Sequence, residues 1–257
     1  MIPTKRRQLI LEYIQEHDIV EIDEISKQFK ISIPTVHRDL IHLEEEGFLR
    51  KVRGGATSQP SKIFETSYHN RARLFPDEKK RIARYALRFI SNDMSMMFDN
   101  STTVQTMARM LGSFHGLTVI TYFEEVIHEL SRPGYQIAVV STGGELDRTH
   151  QTLVGPIVEA TLKDMHVPIA FISTPAVSPA LGIMHPYSDE CRRKQLIIQA
   201  AEEVILMVDH SKFEKTALNI VATLGKIKRI VTDQELDAES TNQILSQGVE
   251  LHVADQE

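Results

Sequence analysis

Residues 31 to 56 read ISIPTVHRDLIHLEEEGFLRKVRGGA, and this stretch decides how the start of the chain folds. Ser32 is a good helix N-cap, and Pro34 follows near the first turn, where its missing N–H costs no hydrogen bond. A helix is therefore predicted to begin here and to end at Gly47. Its apolar residues recur at helical spacing on the side predicted to face a core: Val36, Leu40 and Leu43.

A short basic strand is predicted after this helix. It runs from Phe48 to Val52 and is followed by Gly54-Gly55, a tight-turn signal. The segment carries three basic residues, Arg50, Lys51 and Arg53. The sequence therefore predicts a basic β-wing behind the helix.

Two earlier segments complete a small domain. Lys5 to Glu16 and Ile22 to Phe29 both carry apolar residues at helical spacing, so the order is helix, helix, turn, helix, wing. A helix-turn-helix places its second helix in the major groove of DNA while neighbouring segments hold phosphates. The residues predicted to contact DNA are Lys5, Arg6, Arg7, Ser32, Thr35, His37, Arg38, His42, Arg50, Lys51, Arg53, Gly54 and Gly55. The alternative is a three-helix core without a DNA role.

The first 56 residues resemble the N-terminal signature of the DeoR family of bacterial transcription regulators. The matching positions are Arg7, Glu24-Ile25, Ser32, Thr35-Val36, Arg38-Asp39-Leu40, Leu43-Glu44, Gly47 and Arg53-Gly54-Gly55-Ala56. The family usually has two arginines before the Asp-Leu pair, whereas this chain has His37 at the first position. A neutral imidazole donates less to phosphate than an arginine does.

Length and composition are those of an ordinary globular protein. The chain has 257 residues, 42% of them hydrophobic and 25% charged, which is enough for a small head and a larger body. The N-terminus is charged, and no apolar run approaches the roughly 18 residues of a membrane span, so we expect a cytoplasmic protein with no membrane partner. The single cysteine, Cys191, excludes an intramolecular disulfide.

The charge distribution fits DNA binding by the head alone. Residues 1 to 56 hold nine Lys or Arg against ten Asp or Glu, within a net charge of −6 for the whole chain. The positive residues cluster at 5 to 7 and at 50 to 53. An acidic body should repel nucleic acid and confine binding to the head.

The domains are predicted as residues 1–56, a linker over 57–76, and a second domain over 77–257. A helix is expected from Asp77, and short apolar runs then alternate with helical patterns, which predicts an α/β body with a mostly parallel sheet. The predicted strands are Ser95–Phe98, Leu117–Thr121, Gln136–Val140, Val167–Ile172, Glu203–Val208, Lys228–Val231 and Val249–Val253. The predicted helices between them are Val104–Leu111, Glu124–Leu130, Pro156–Leu162 and Glu190–Ala201.

Three loops that follow predicted strands carry the residues suited to a ligand. Asp99 to Thr103 offers hydroxyls and a helix start for an anion, and Gly143-Gly144 allows backbone to approach a ligand. Asp209 to Lys212 offers an acceptor for sugar hydroxyls and a cation for phosphate. The structural alternatives are a helix cap, a turn and a solvated surface lysine.

The same loops resemble the effector domain of the DeoR family, which is similar in fold to sugar-phosphate isomerases of the ribose-5-phosphate isomerase type. The resemblance implies a phosphorylated-sugar effector. Two positions depart from the family pattern: Ser101 replaces an expected glycine, and Tyr122 an expected asparagine. The predicted effector-binding residues are Asp99, Asn100, Ser101, Thr102, Thr103, Thr121, Gly143, Gly144, Lys194, Asp209, Ser211 and Lys212.

No metal or cofactor is expected. His37 and His42 are five residues apart and do not share a helix face as i, i+4 ligands would. Cys191 has no histidine or second cysteine near it in sequence, and a small half-buried residue is the expectation.

Two functions remain. The first is a DNA-binding transcription regulator, most often a repressor in this family, with operator DNA, a phosphorylated sugar and further copies of itself, as a dimer or larger oligomer, as partners. The second is a sugar-phosphate isomerase with an appended head. An isomerase needs a general base beside the sugar carbons, and Asp99 and Glu190 are the candidates.

Overall fold

The computed structural model describes residues 3–17, 19–45, 49–52, 54–57 and 68–254. The chain forms two compact units, Met1–Asn70 and Arg71–Glu257. Several sequence predictions lie outside the described residues: the helix end at Gly47, the strand start at Phe48, the DNA contact at Arg53 and most of the linker, residues 58–67.

Three helices open the first unit where the sequence predicts them: α1 (Pro3–His17), α2 (Ile22–Phe29) and α3 (Ile33–Glu45). The apolar side chains of all three meet in one core, where the following are fully buried: Ile10, Ile14, Ile25, Val36 and Leu40. The start of α2 is capped by Glu24, whose carboxylate accepts the backbone N–H of Glu21 at 3.1 Å.

A small antiparallel sheet completes this unit. Its strands are β1 (Ile19–Glu21), β2 (Arg50–Val52) and β3 (Gly55–Thr57), in the order β1-β3-β2. The pair β2 and β3 is the predicted wing, whereas β1 was not predicted because three residues are too few to show a period. Gly55 is required here, since a Cβ at this position would lie 2.3 Å from the carbonyl oxygen of Val20 on β1.

The predicted linker over 57–76 differs from what is observed at both of its ends. Thr57 belongs to β3, and Pro76 is the first residue of the next long helix, α5 (Pro76–Ala86). A further helix, α4 (Tyr68–Arg73), lies inside the segment. Six residues without an apolar stripe give no helical period in the sequence, so the helix could not be recognised.

The second unit alternates strands and helices. Its strands are β4 (Ser95–Phe98), β5 (His115–Thr121), β6 (Gln136–Ser141), β7 (Glu145–Asp147), β8 (Thr152–Val154), β9 (Val167–Ile172), β10 (Ala176–Ser178), β11 (Gly182–His185), β12 (Ala201–Met207), β13 (Asn219–Ala222), β14 (Arg229–Thr232) and β15 (Glu250–Val253). Its helices are α5 (Pro76–Ala86), α6 (Thr102–Ala108), α7 (Glu124–Leu130), α8 (Pro156–Lys163), α9 (Ser188–Ala200) and α10 (Ala238–Leu245).

Seven strands form the main sheet, in the order β15-β14-β12-β9-β4-β5-β6. Every neighbouring pair is parallel, and each of the seven overlaps a predicted strand, so the predicted α/β fold is confirmed. The chain starts in the middle at β4, runs outward to β6, and then crosses to β9 to build the other half. The point where the strand order reverses therefore lies between β4 and β9, which is where open α/β sheets bind ligands.

Two smaller sheets were not predicted. Strands β7 and β8 form a hairpin, and β10, β11 and β13 form an antiparallel sheet in that order. Their strands are three or four residues long, which is too short for an alternating pattern to be distinguished from a loop. Around the main sheet, α9 packs on β9 and β12, while α5 packs on β12 and β14.

Over the part of the chain that the structure describes, no helix combines the length and apolarity needed to cross a bilayer.

Candidate functional site

Helix α3 has one buried side and one that is open to solvent. The predicted core residues Val36, Leu40 and Leu43 are buried, whereas Ser32, just before the helix, and His37 and Arg38 on it are exposed. Thr35 and His42 are partly exposed. Ser32 and Thr35 are joined through their hydroxyls at 2.8 Å, and Arg38 donates to the carbonyl of Pro34 only at 3.4 Å. The outer face of α3 is therefore available to a groove.

Arg6 and Arg7, predicted to hold phosphate, are engaged within the fold. Arg6 donates through Nε to Asp39 Oδ2 at 2.6 Å and through Nη2 to Asp39 Oδ1 at 3.1 Å. Arg7 donates through Nε to Asp39 Oδ1, also at 3.1 Å. Lys5, in contrast, is exposed. The two arginines therefore tie α1 to α3, which the sequence interpretation missed.

The wing is tied to α3 by a hydrogen bond from its backbone to a side chain on the helix. The N–H of Lys51 donates to Glu44 Oε1 at 2.7 Å, so the Lys51 side chain is not needed for this link. Gly54 lies in the turn with φ +84°, a left-handed value that suits glycine. The side chain of Arg50 and all of Arg53 lie outside the described residues.

At the carboxyl edge of the main sheet, polar residues follow three strands that lie side by side. Asp99 follows β4, Ser173 follows β9 and Asp209 comes two residues after β12. Adjacent strands are about 4.8 Å apart, so β4 and β12, which flank β9, run roughly 10 Å apart. All three predicted loops follow parallel strands and lie at this edge: Asp99 and Asp209 follow strands on either side of β9, and Gly143-Gly144 follows β6 at the end of the sheet.

Asp99 is fully buried and its carboxylate is saturated by protein groups. Oδ1 accepts the N–H of Ser101 at 3.0 Å, and Oδ2 accepts the N–H of Ser173 at 2.8 Å. Lys194 also donates to Oδ2, at 2.5 Å, and is itself buried. In this arrangement Asp99 and Lys194 neutralise each other.

The same buried network continues through Glu190. Its Oε1 accepts the hydroxyl of Tyr122 at 2.7 Å and lies 3.4 Å from Lys194 Nζ. Its Oε2 accepts Nε and Nη2 of Arg193 at 3.0 and 2.7 Å. Burial and the negative charge of Glu190 raise the pKa of Tyr122 well above its usual value, so the phenol stays protonated. Tyr122 and Arg193 were not predicted. Tyr122 lies 68 positions from its partner Glu190, whereas Arg193 pairs with Glu190 three residues before it on α9, an i, i+3 pair that the sequence interpretation did not use.

The hydroxyls around Asp99 are largely used by the fold. Ser101 caps α6, since its Oγ accepts the N–H of Val104 at 3.1 Å. Thr121 donates its hydroxyl to the carbonyl of Phe98 at 2.9 Å. Asn100, Thr102 and Thr103 are buried. For Asp99 to Thr103, the sequence left two interpretations open, an anion site and a helix cap. The structure shows the helix cap.

Gly143 and Gly144 both have positive φ, of +71° and +107°. A Cβ on Gly144 would lie 2.6 Å from the carbonyl oxygen of Val154 and equally close to Val158 Cγ2. Glycine is therefore needed at position 144 because the backbone of Val154 and the side chain of Val158 pack directly against it. The sequence interpretation did not consider this structural reason.

Asp209 and Lys212 face each other after β12. Lys212 Nζ lies 3.7 Å from Asp209 Oδ2, and Ser211 donates its N–H to Asp209 Oδ1 at 3.1 Å and its hydroxyl to the same oxygen. Burial raises the pKa of Asp209, but Lys212 and the Ser211 hydrogen bonds outweigh it, so the pKa is lowered and the carboxylate is charged. Among the described residues, Oδ2 has no hydrogen-bond donor.

Two further lysines lie near this carboxylate and were missed from the sequence. Lys79 on α5 is 4% exposed and donates to the carbonyls of Arg71 and, at 2.6 Å, Leu74. Burial lowers the pKa of Lys79 to about 7, and the charge of Lys212 adds to the shift. The pKa of Lys215 is lowered by burial and by Lys212. We call Lys79, Lys212 and Lys215 the lysine cluster.

Within the described residues, no three His, Cys, Asp or Glu side chains are arranged to share a metal ion. Cys191 is 6% exposed and donates through Sγ to the carbonyl of Ile220 at 3.2 Å. Burial raises the pKa of its thiol, which keeps it protonated.

Comparison with known proteins covers both units. Residues 6–62 match the DeoR-like helix-turn-helix domain, and residues 75–234 match the DeoR C terminal sensor domain. The HTH-type transcriptional regulator IolR of Bacillus subtilis is 32% identical, over 97% of this chain and 98% of its own length. The HTH-type transcriptional repressor GlcR of the same organism is 31% identical, over 100% and 98%. The HTH-type transcriptional regulator GlpR of Haloferax volcanii is 29% identical, over 97% of each chain.

Among solved structures, a D-ribose-5-phosphate isomerase in complex with phospho-erythronic acid is similar over 54% of each chain, with 18% identity and a TM-score of 0.38. A likeness of this size carries no argument about the ligand or the activity of this chain.

Proposed function

Because this chain belongs to the DeoR family of DNA-binding transcription regulators, we propose that it represses genes of carbohydrate metabolism and that a phosphorylated sugar bound by the second unit changes its affinity for operator DNA. Its relatives are regulators by name, and the chain is a regulator rather than an enzyme. One of these relatives, GlcR, is named a repressor, which supports a repressing role for this chain.

The excess of positive charge beside Asp209 is the main observation in favour of a phosphorylated-sugar effector. Three lysines, Lys79, Lys212 and Lys215, act on this single carboxylate, so the local charge is positive whenever the lysines are protonated. An excess of ammonium groups at the carboxyl edge of a parallel sheet suits a phosphate. The Oδ2 atom of Asp209, without a hydrogen-bond donor among the described residues, suits a sugar hydroxyl.

The Asp99 network argues against an isomerase. An isomerase needs a carboxylate that can take a proton from a sugar carbon, and Asp99 and Glu190 are each held by a buried cation. A carboxylate paired with lysine or arginine is a weaker base than a free one. The same pairs are well suited to holding the strand ends in place.

The test uses the full chain and a DNA fragment that the protein selects from a random pool. Phosphorylated sugars are added to this complex, and DNA affinity and thermal unfolding are measured. We expect one of them to raise the unfolding temperature and to change DNA affinity by about 1 to 3 kcal/mol, a typical coupling energy. The same sugars without phosphate serve as the control and should have no effect.

The variant Lys212→Ala should lose the response to the phosphorylated sugar and keep its DNA affinity. Lys163→Ala, which removes an exposed lysine elsewhere in the second unit, is the matched control and should respond like the wild type. An equal response in Lys212→Ala and wild type would exclude Lys212 from the site.

A further inference from the structure

A single carboxylate on α3 holds two guanidinium groups from α1. The side chain of Asp39 is 1% exposed, whereas those of Arg6 and Arg7 are 15% and 28% exposed. Three N–H donors of these arginines point at Asp39, at 2.6 to 3.1 Å. The ion pairs are thus buried on the acid's side and open to solvent on the arginines' side.

The charges of this cluster do not balance. Two guanidinium groups share one carboxylate, which leaves one positive charge fixed at the surface of the head. An arginine has five N–H donors, and Arg7 uses only its Nε–H on Asp39. Within the described residues, the Nη groups of Arg7 have no recorded acceptor. A fixed cation with donors left over is suited to an anion.

The position of Asp39 on α3 indicates which anion the two arginines would bind. Thr35, Asp39 and His42 are spaced i, i+4 and i+7, so they form one stripe along the helix. The stripe borders the buried side of α3, and Thr35 and His42 are partly exposed. The arginines therefore lie beside the face that α3 offers to a major groove, where the nearest anions are backbone phosphates.

We propose that Asp39 is a positioning residue for DNA binding, which holds Arg6 and Arg7 so that their remaining N–H groups bind a backbone phosphate. Asp39 touches no DNA in this arrangement, and it acts through the arginines. Burial raises the pKa of Asp39, but the hydrogen bonds from Arg6 and Arg7 outweigh it and lower the pKa, so the carboxylate is charged at neutral pH. The proposal requires DNA binding by the head and is independent of the effector.

The decisive comparison is Asp39→Asn against Asp23→Asn. Both changes remove one negative charge from the head, and Asp23 is exposed on α2. If only net charge mattered, both variants would bind DNA as tightly as wild type or more tightly, because less repulsion remains. If Asp39 positions the arginines, Asp39→Asn should instead lower the DNA affinity, by about tenfold, as for the loss of one charge-assisted contact. Asp23→Asn should not lower it.

Affinity is measured by fluorescence anisotropy on the selected DNA fragment over a range of salt, at a temperature where circular dichroism shows each variant folded. For Asp39→Asn we expect a salt slope shallower by about one unit, since one phosphate contact is lost. A slope and an affinity equal to wild type in folded Asp39→Asn would overturn the proposal, because a bridge that only supports the fold would leave both unchanged.

Asp39→Asn leaves two arginines around an uncharged amide, which destabilises the head, so a second variant covers the case in which Asp39→Asn does not fold. Arg7→Lys then decides, because it keeps the charge but has one ammonium in place of a forked group. We expect it to melt close to wild type and to bind DNA several-fold more weakly, since one ammonium cannot span Asp39 and a phosphate as a guanidinium does. Wild-type affinity in Arg7→Lys would overturn the proposal.

Discussion

Single residues on the outer face of α3 should affect DNA binding without affecting the fold. Arg38 is exposed, and within the described part of the head its side chain makes a single hydrogen bond, of 3.4 Å to the carbonyl of Pro34. We expect Arg38→Ala to weaken binding of selected DNA by about 1 to 3 kcal/mol, the value of a base contact, with an unchanged unfolding temperature. Binding is measured by anisotropy, with Lys163→Ala as a control for the lost charge. Unchanged binding would remove Arg38 from the interface.

A second residue-scale prediction concerns pH. The pKa of Lys79 is about 7 in the folded protein against an ordinary 10.5, so between these values the unfolded chain holds a proton that the folded chain has lost. Stability should therefore rise with pH across this range, by at most about 1.4 kcal/mol per pH unit for one proton. Below pH 7 both states are protonated and this contribution to the slope disappears.

Lys79→Met should remove that slope, which urea unfolding at pH 6, 7, 8 and 9 would measure. Lys80→Met is the matched control, because Lys80 is the next residue on α5 and is exposed. The difference in free energy of unfolding between Lys79→Met and wild type should shrink or reverse as the pH rises, whereas Lys80→Met should track wild type. Parallel curves for all three proteins would show that Lys79 is protonated throughout.

Sequence reasoning worked at single residues only where the partner was close along the chain. The buried and exposed sides of α3 follow from helical spacing, and Val36, Leu40 and Leu43 are buried as predicted. The pairing of Arg6 with Asp39 joins positions 33 residues apart, and that of Asp99 with Lys194 joins positions 95 apart. No local pattern encodes such pairs, so the sequence interpretation assigned Arg6, Arg7 and Lys194 to DNA or ligand without recognising their partners inside the fold.

At the scale of elements, the wing gives a prediction of its own. The Lys51 backbone N–H is bound to Glu44, so Lys51→Ala keeps this link and removes only the side chain. If the ammonium meets one phosphate, the variant should bind all DNA sequences more weakly and its salt slope should fall by about 0.9. Anisotropy titrations on the selected fragment and on an unrelated one measure both effects. A wild-type slope would mean that the wing does not contact the backbone.

The elements themselves show what the sequence can and cannot specify. All seven strands of the main sheet were predicted, because each is a short apolar run between helical patterns. Their spatial order was not, since apolar runs that are buried on both faces look alike wherever they lie in a sheet. The hairpin of β7 and β8 was also missed. The sequence predicted that Asp99 and Asp209 follow strands at the carboxyl edge of the sheet. It did not predict that β9 alone lies between those two strands.

For the whole molecule, we expect at least a dimer. One head reads a short site, and helix-turn-helix proteins gain affinity by placing two heads on half-sites about one helical turn apart. The assembly is measured by light scattering with and without the selected DNA. A particle of 29.2 kDa, the mass of one chain, under both conditions would refute it. DNA carrying a single half-site should bind much more weakly than DNA carrying two.

The order of the strands along the chain has a consequence for synthesis on the ribosome. The last strand of the wing, β3, ends at Thr57, whereas the Asp209 carboxylate and Lys212 come more than half the chain later. At roughly 5 to 20 residues per second, about 8 to 30 seconds separate these two points. During this interval a nascent chain holds the winged head and lacks Asp209 and Lys212, and until residue 167 is made it also lacks the half of the sheet that begins with β9. A message cut short in that region would encode the winged head without the proposed effector site.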